Sequence, residues 1–458
     1  MVTSKQADPL AVALANASLL SAGYVMLGRR KLAFGTGVVT ITLVSVLAMI
    51  VRTLWFEFVV FGWWAAMVAH GLFLSRGGGG SRRQRLIALA FTMPVLLVFG
   101  LLRFDAARID ANAAETHGRG DCPATLAELD GLWAGHHVAD APLTVRAEQT
   151  TRACRLLLAA EEQLDQSLGG DVEPLEHGFA TLTAVRRIDG QDQRIREVLD
   201  RFTSHLSPGG GCDTAAITDW LRQYARGPVL DQAAAVVPRV APGALLLCAD
   251  MLMQSDDWPE ARDRYRQLVA AYPGHELAAR ATEGADRATR EIELANVRDL
   301  LDVSYSGGEP EYCDSPAPYS FAAPYGDGPN RALVFGDDDT LDRFPGEWRA
   351  GGPEDAVAIV CVGESDYGVP VETCTYRSQT AAAIVGDTTF HRIALPVRVY
   401  ELKTGRLVSD TRIEISGGSC PEVLRHSSYL TPIGPPSQVY VTPSDGDIRV
   451  AFQPLIDP

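Results

Sequence analysis

Apolar residues are concentrated at the start of the chain. Residues 9–28, 32–51, 54–74 and 86–102 form four runs with little internal charge, each near the roughly 17–25 residues a helix needs to cross bilayer hydrocarbon. The first run differs from the others in holding Asn16, Ser18 and Ser21. Trp55, Trp63 and Trp64 suit the aromatic belts of membrane boundaries. Beyond residue 104 the pattern becomes amphipathic. Leu157, Ala160 and Leu164 recur at helical spacing, as do Ile195, Val198, Leu199, Phe202 and Leu206, which predicts helices as far as about Leu301. Breaks are expected at Gly169-Gly170, at Ser207-Pro208-Gly209-Gly210-Gly211 and at Ala241-Pro242-Gly243.

From residue 303 the pattern changes again. Gly307, Gly308, Pro310, Pro316, Pro318, Pro324, Gly326, Gly328 and Pro329 crowd one stretch, as in a linker or loop segment. Strands are then predicted at Val357 to Val362 and Val371 to Tyr376, and a hairpin is predicted where Leu395 to Leu402 and Arg406 to Ile415 flank Lys403-Thr404-Gly405. Near the end, Ser444 can cap a short helical turn, although Ile448 to Phe452 equally suits a closing strand. The expected fold class is therefore α+β. It comprises an N-terminal transmembrane helical bundle of about four spans (1–104), an α-helical hairpin array (105–302), a Pro/Gly-rich linker or loop (303–355) and a β-rich C-terminal domain (356–458).

Charge orients this plan. Residues 1–104 carry a local charge of +8 and the remainder −24, within a whole-chain charge of −16. Arg29-Arg30-Lys31 follows the first run, and Arg76, Arg82, Arg83 and Arg85 lie between the third and fourth. Both loops are expected to be cytoplasmic, because short cation-rich loops stay inside. Residues from about 105 to 458 are then extracytoplasmic, whether or not residues 9–28 span. A cleaved signal peptide is disfavoured, since neither a cationic start beyond Lys5 nor a clear cleavage site is evident. The acidic remainder excludes nucleic acid as a partner, because phosphate affinity comes from Lys and Arg.

All eight cysteines follow the last apolar run: Cys122, Cys154, Cys212, Cys248, Cys313, Cys361, Cys374 and Cys420. An oxidising compartment permits such a set to pair. Spacing suggests Cys122 with Cys154 and Cys212 with Cys248, with the other four shared within the C-terminal part. Cys361 and Cys374 are expected on adjacent strands, close enough to bond if their register agrees. No Cys-x-x-Cys pair or neighbouring His supports zinc.

No catalytic, cofactor-binding or metal motif stands out. A phosphate loop, a Gly-x-Ser-x-Gly elbow and a His-Glu-x-x-His helix are absent from the sequence. His136-His137 point in different directions from any regular element, and Asp337-Asp338-Asp339 with Asp342 lacks the spacing of a calcium loop. Glu57 and His70 stand near the ends of the third run, where interfacial exposure accounts for them.

Two resemblances sharpen the expectation. Starting near Pro242, Leu245, Ala249 and Leu252 on one helix, Ala261 and Tyr265 on a second and Pro273 closing it are similar to a tetratricopeptide repeat. Leu268 stands where that family prefers a small residue, and the first helix lacks the family's Trp. The chain as a whole resembles a group of actinobacterial multi-pass membrane proteins of unknown function. The likeness rests on Gly23-Tyr24-Val25-Met26-Leu27-Gly28-Arg29-Arg30, Gly346-Glu347-Trp348-Arg349-Ala350, Val360-Cys361-Val362, Glu372-Thr373-Cys374-Thr375-Tyr376, Lys403-Thr404-Gly405-Arg406 and Ser419-Cys420-Pro421. It implies an external helical region with repeats and a C-terminal β-domain. The expected role is a membrane-anchored interaction or scaffold protein of the bacterial envelope, with the lipid bilayer and another envelope protein as partners and no cofactor. The alternatives are an extracytoplasmic enzyme with a non-motif site and a small transporter component.

Overall fold

A computed structural model describes residues 7–18, 21–77, 79–303, 309–336, 343–377, 384–426 and 434–458. The chain is α+β and divides into two compact units, residues 1–244 and 245–458.

The first unit begins with the apolar runs. α3 (Arg30–Met49), α4 (Leu54–Leu74) and α5 (Arg82–Gly118) are each long and apolar enough to cross a membrane. Only 11% of each apolar window is buried within the protein, so side chains such as Phe34, Trp55 and Phe104 face outward. Contiguous exposed apolar surface on this scale needs a membrane or a partner to cover it.

The first run corrects the sequence expectation. Residues 9–28 do not form one span; they form α1 (Pro9–Ala17) and α2 (Ala22–Met26), separated by a break at which Ser21 takes a left-handed backbone with φ 53°. Asp8 caps α1 by accepting from the Leu10 amide at 2.9 Å. It also accepts from the Ser81 amide at 2.8 Å and from Arg85 Nε at 2.7 Å, at the start of α5. Farther along, Thr92 Oγ1 donates to the Leu14 carbonyl at 2.6 Å and Trp64 Nε1 to the Ala17 carbonyl at 3.1 Å. Thr92 is ten residues into α5 and Trp64 is at the middle of α4, so α1 ends level with the middle of α4. α2 then returns, and the Tyr24 hydroxyl lies 3.0 Å from His70 Nδ1 near the end of α4. The segment is a half-depth hairpin whose two ends lie on the Arg-rich side.

The rest of the first unit is helical. α6 (Cys122–Leu129), α7 (Ala134–Ala139), α8 (Ala141–Ser167), α9 (Val172–Val185), α10 (Asp192–His205), α11 (Gly211–Tyr224) and α12 (Pro228–Ala234) follow α5. The periodic residues Leu157, Ala160, Leu164, Ile195, Val198, Leu199, Phe202 and Leu206 are all buried, as their spacing predicts. Breaks fall after Ser167 and at Pro208–Gly210. The break expected at Ala241-Pro242-Gly243 does not occur: α13 (Val237–Gln254) runs through both residues. A proline six positions into a helix loses one hydrogen bond. Gly243 lets α13 approach Pro208, whose Cβ would lie 2.7 Å from an added methyl.

In the second unit, α14 (Trp258–Ala271) and α15 (Ala278–Leu301) precede a six-stranded mixed sheet. Its strands are β1 (Ala332–Phe335), β2 (Ala358–Val362), β3 (Asp366–Arg377), β4 (Val385–Glu401), β5 (Arg406–Ile415) and β6 (Gln438–Tyr440). β4 is the axis: β2, β3 and β5 pair with it antiparallel and β6 parallel, while β1 adds to β2 in parallel. Residues 303–355, expected as a linker or loop, contain β1 and buried Tyr312, Cys313, Phe344 and Trp348; Gly307 and Gly308 lie outside the described residues.

β2 is buried on both faces, and its two sets of side chains enter two cores. Ala358, Val360 and Val362 pack with Ile448, Phe452 and Ile456 of α16 (Asp445–Ile456). Ile359 and Cys361 pack with Leu294, Val297 and Leu301 of α15 and with Tyr312. The choice left open for the C-terminus falls to the helix, with Ser444 and Asp447 forming its capping box. The hairpin predicted at Lys403-Thr404-Gly405 forms, with Gly405 at φ 67°. The buried Glu401 closes it, accepting from Thr404 Oγ1 at 2.6 Å and from the Tyr325 amide at 3.1 Å.

Every cysteine is disulfide-bonded. Cys122 joins Cys154 as the spacing suggested, tying α6 to α8. Cys212 and Cys248 are each disulfide-bonded too. Cys361 and Cys374 do not bond each other. Both strands lie along one flank of β4, where Cys361 faces Arg398 and Cys374 faces Thr388, a separation of about 33 Å at strand rise. Cys361 pairs with Cys313, and Cys374 with Cys420.

This packing sets two expectations. Non-reducing peptide mapping is expected to recover Cys122–Cys154, Cys313–Cys361 and Cys374–Cys420; alkylation of all eight thiols without reductant would refute the pairing. Glu401 is expected to make the second unit acid-sensitive. The Thr404 hydroxyl, then the Tyr325 amide and Arg406, hold its carboxyl below its ordinary value. Its contribution is therefore full above the unfolded carboxylate range, about pH 4.3, and is lost as pH falls through the lower folded value. Glu401→Gln should flatten that part of the stability profile, and an unchanged slope would exclude Glu401 as its source.

Candidate functional site

Two places among the described residues bear on the expectations drawn from the sequence. The first is the repeat-like unit of α13, α14 and α15. Leu245 and Ala249 of α13 and Ala261, Tyr265 and Leu268 of α14 are buried. The two alanines have no side chain beyond Cβ to hold the helices apart. Tyr265 fills the groove, and across it Gly284 of α15 leaves room for the ring: a methyl there would lie 2.5 Å from Tyr265 Cζ. The Tyr265 hydroxyl donates to Asp250 at 2.5 Å, and Arg280 reaches the other oxygen of Asp250 at 2.6 Å. Burial, followed by the Asp250 contact, pushes the Tyr265 phenol well above its ordinary value, so it stays a neutral donor.

Two of the expected packing positions differ in degree. Leu252 is only half-buried, and Pro273 is exposed one residue beyond the Tyr272 cap of α14. Pro273 thus acts after the helix has ended, where a missing amide costs nothing. Leu247 and Met251, four residues apart on α13, are exposed apolar side chains. Together they make a small apolar stripe on this unit.

The second place is the half-depth hairpin. Asn16, Ser18, Ser21 and Tyr24 are buried among apolar helices. Asn16 Nδ2 donates to the Met67 carbonyl at 3.2 Å, Ser18 Oγ to the Ala15 carbonyl at 2.7 Å, and Thr36 Oγ1 to Ser21 Oγ at 2.9 Å. Asn16 Oδ1 has no hydrogen-bond partner. Gly23 and Gly71 make the fit possible, since an added methyl at either would lie within 2.5 Å of Val12 O or Asn16 Nδ2. Sequence reasoning missed Asp8, Arg85, Thr92 and the two glycines as parts of this unit. The available signal was the group of polar residues inside the first apolar run.

His391 and Glu347, side chains on which an enzymatic site could draw, engage different partners. His391 Nδ1 lies 2.9 Å from the Gly368 carbonyl, and its Nε2 is 3.4 Å from Gln438. Glu347 pairs instead with Arg449. His136 is buried in α7, where its Nδ1 accepts from the Trp133 amide at 3.2 Å, while His137 follows it on the same short helix. Asp337, Asp338, Asp339 and Asp342 lie outside the described residues. With this geometry in view, comparison with protein-family models, curated proteins and solved structures returns no match.

The Tyr265 packing can be tested by pulse proteolysis of the full-length protein in denaturant. Tyr265→Ala is expected to cost about 3–5 kcal/mol as a buried aromatic truncation. Gly284→Leu should cost about 1–3 kcal/mol by driving a side chain into the ring. Exposed Asp263→Ala should stay within about 0.5 kcal/mol. Equal, mild effects of all three would remove the groove from the description.

Proposed function

We propose that the chain is a membrane-anchored interaction or scaffold protein of the bacterial envelope, with residues from about 105 onward extracytoplasmic. One observation carries the reading: three exposed apolar helices stand before a region in which every cysteine is disulfide-bonded. Oxidised cysteines suit an oxidising compartment, and the cation-rich loops suit the cytoplasmic face. The half-depth hairpin starts and ends on one side, so it leaves the orientation of α3 to α5 unchanged.

The α13–α15 unit supports the interaction part of the reading. Its small Ala249 and Ala261, the ring of Tyr265 and the succession of helices are similar to tetratricopeptide packing, in which stacked helices form extended binding surfaces. The exposed Leu247 and Met251 offer an apolar contact for an envelope protein. The likeness to actinobacterial multi-pass membrane proteins agrees with this placement.

A reporter that requires export should be active when fused after Asp121 and inactive when fused after Gly79; the reverse pattern would sink the orientation. For the interaction surface, in-cell crosslinking through position 247 should trap an envelope protein, and Met251→Asp should abolish that adduct without changing the melting profile. No adduct, or an adduct indifferent to Met251→Asp, would reject that stripe as the contact.

A further inference from the structure

A cavity of about 1010 Å³ opens among α3, α4 and α5. Its floor is Ala17 and Ser18, at the end of α1, together with Thr40 and Trp64. Its walls are apolar, and Glu57 and Arg103 stand at its far end beside Val138 and Ala139 of α7. Pro94 and Arg103 both line it on α5. Their nine-residue separation corresponds to about 14 Å of helix, close to half of the roughly 30 Å hydrocarbon thickness of a bilayer. The half-depth hairpin therefore blocks one half of the space between the spans and leaves the other half open.

We propose that this cavity holds the hydrocarbon chain of one phospholipid with an amine in its headgroup, taken from the leaflet on the side of the disulfide-bearing region. The inference rests on the membrane reading above. The cavity has the depth of one leaflet, its lining is mostly apolar, with Ser18, Thr40 and Ser45 its hydroxyl side chains, and hydrocarbon is what surrounds helices of this kind. The far end supplies both charges that a zwitterionic headgroup carries. Arg103 faces the phosphate, while Glu57 faces the amine. Arg103 makes only long contacts there, 3.4 Å to the Ala139 carbonyl and 3.3 Å to Asp140.

The test uses the full-length chain in nanodiscs containing equal amounts of phosphatidylethanolamine and phosphatidylglycerol, transferred to mild detergent and weighed by native mass spectrometry. One retained phosphatidylethanolamine per chain is expected. Val98→Trp places a ring on the cavity wall and should lower the retained fraction by about tenfold, near 1.4 kcal/mol of binding. Leu97→Trp adds the same ring to exposed surface outside the cavity lining and should change nothing. Arg103→Gln with Glu57→Gln should remove the preference between the two lipids. No retained lipid, equal loss in both Trp variants, or a stoichiometric protein in place of lipid overturns the proposal. Alkaline carbonate extraction of native membranes separates the two levels. Release into the soluble fraction rejects the membrane reading itself, whereas an integral protein that keeps no lipid rejects only the lipid site.

Discussion

Polar backbone cannot be left bare among apolar helices, and this constraint shapes the first hundred residues. An unsatisfied amide or carbonyl in hydrocarbon costs several kcal/mol, so a chain that breaks between α1 and α2 must find partners there. Side chains of the neighbouring helices supply them, Thr92 for the Leu14 carbonyl and Trp64 for the Ala17 carbonyl, while the Asn16 side chain in turn donates to the Met67 carbonyl of α4. The same demand fixes where the hairpin starts. Asp8, fully buried, accepts from Arg85, Ser81 and Leu10, which compensates a buried carboxylate with one cation and two amides.

The hairpin also explains why three long apolar helices leave a cavity. Three helices of about twenty apolar residues or more can close on one another only if side chains of similar size meet along their whole length. α1 and α2 wedge between them over one half, with Gly23 and Gly71 permitting the close approach. Among the described residues, α1 ends at Ala17 with Ser18 as its cap, and both line that cavity. The empty half and the filled half thus have one cause, the chain reversal around Ser21.

What could be read in the sequence follows from how local each signal is. The long apolar helices at 32–51, 54–74 and 86–102 are legible because runs of 17 to 21 largely apolar residues admit few other fates. The turn at Lys403-Thr404-Gly405 is legible because a left-handed glycine between alternating strands is a short-range event. The division of residues 9–28 is set by distant partners, Arg85, Thr92, Trp64 and Thr36, which composition of the run itself does not reveal. Pro242 misleads for a similar reason. Taken alone it signals a stop, but one lost hydrogen bond is a small penalty beside the buried packing of Ala241, Ala244, Leu245 and Ala249 along α13. The cysteine pairs divide in the same way. Cys122 and Cys154 meet through neighbouring helices, whereas whether Cys361 and Cys374 meet depends on where along β4 each strand pairs, a register that no local pattern encodes.

The second unit shows how one helix can serve two kinds of neighbour. The first half of α15 presents Ala281, Gly284, Ala285 and Ala288, all small, toward α14 and the Tyr265 ring. Its second half presents Leu294, Val297 and Leu301 to the sheet, where larger side chains are needed because a helix and a sheet stand farther apart than two closely packed helices. Side-chain size along a single helix therefore changes where its neighbour changes. Because α15 belongs to both cores, residues 278–301 cannot unfold without exposing Tyr265 on one side and Ile359 and Tyr312 on the other. This coupling keeps α14 and α15 in one compact unit with the sheet, so the units do not divide at 302/303, where helical periodicity gives way to strands. A helix ending at Leu301 marks a change of secondary structure; the limit of a folding unit is set by which cores the helix completes.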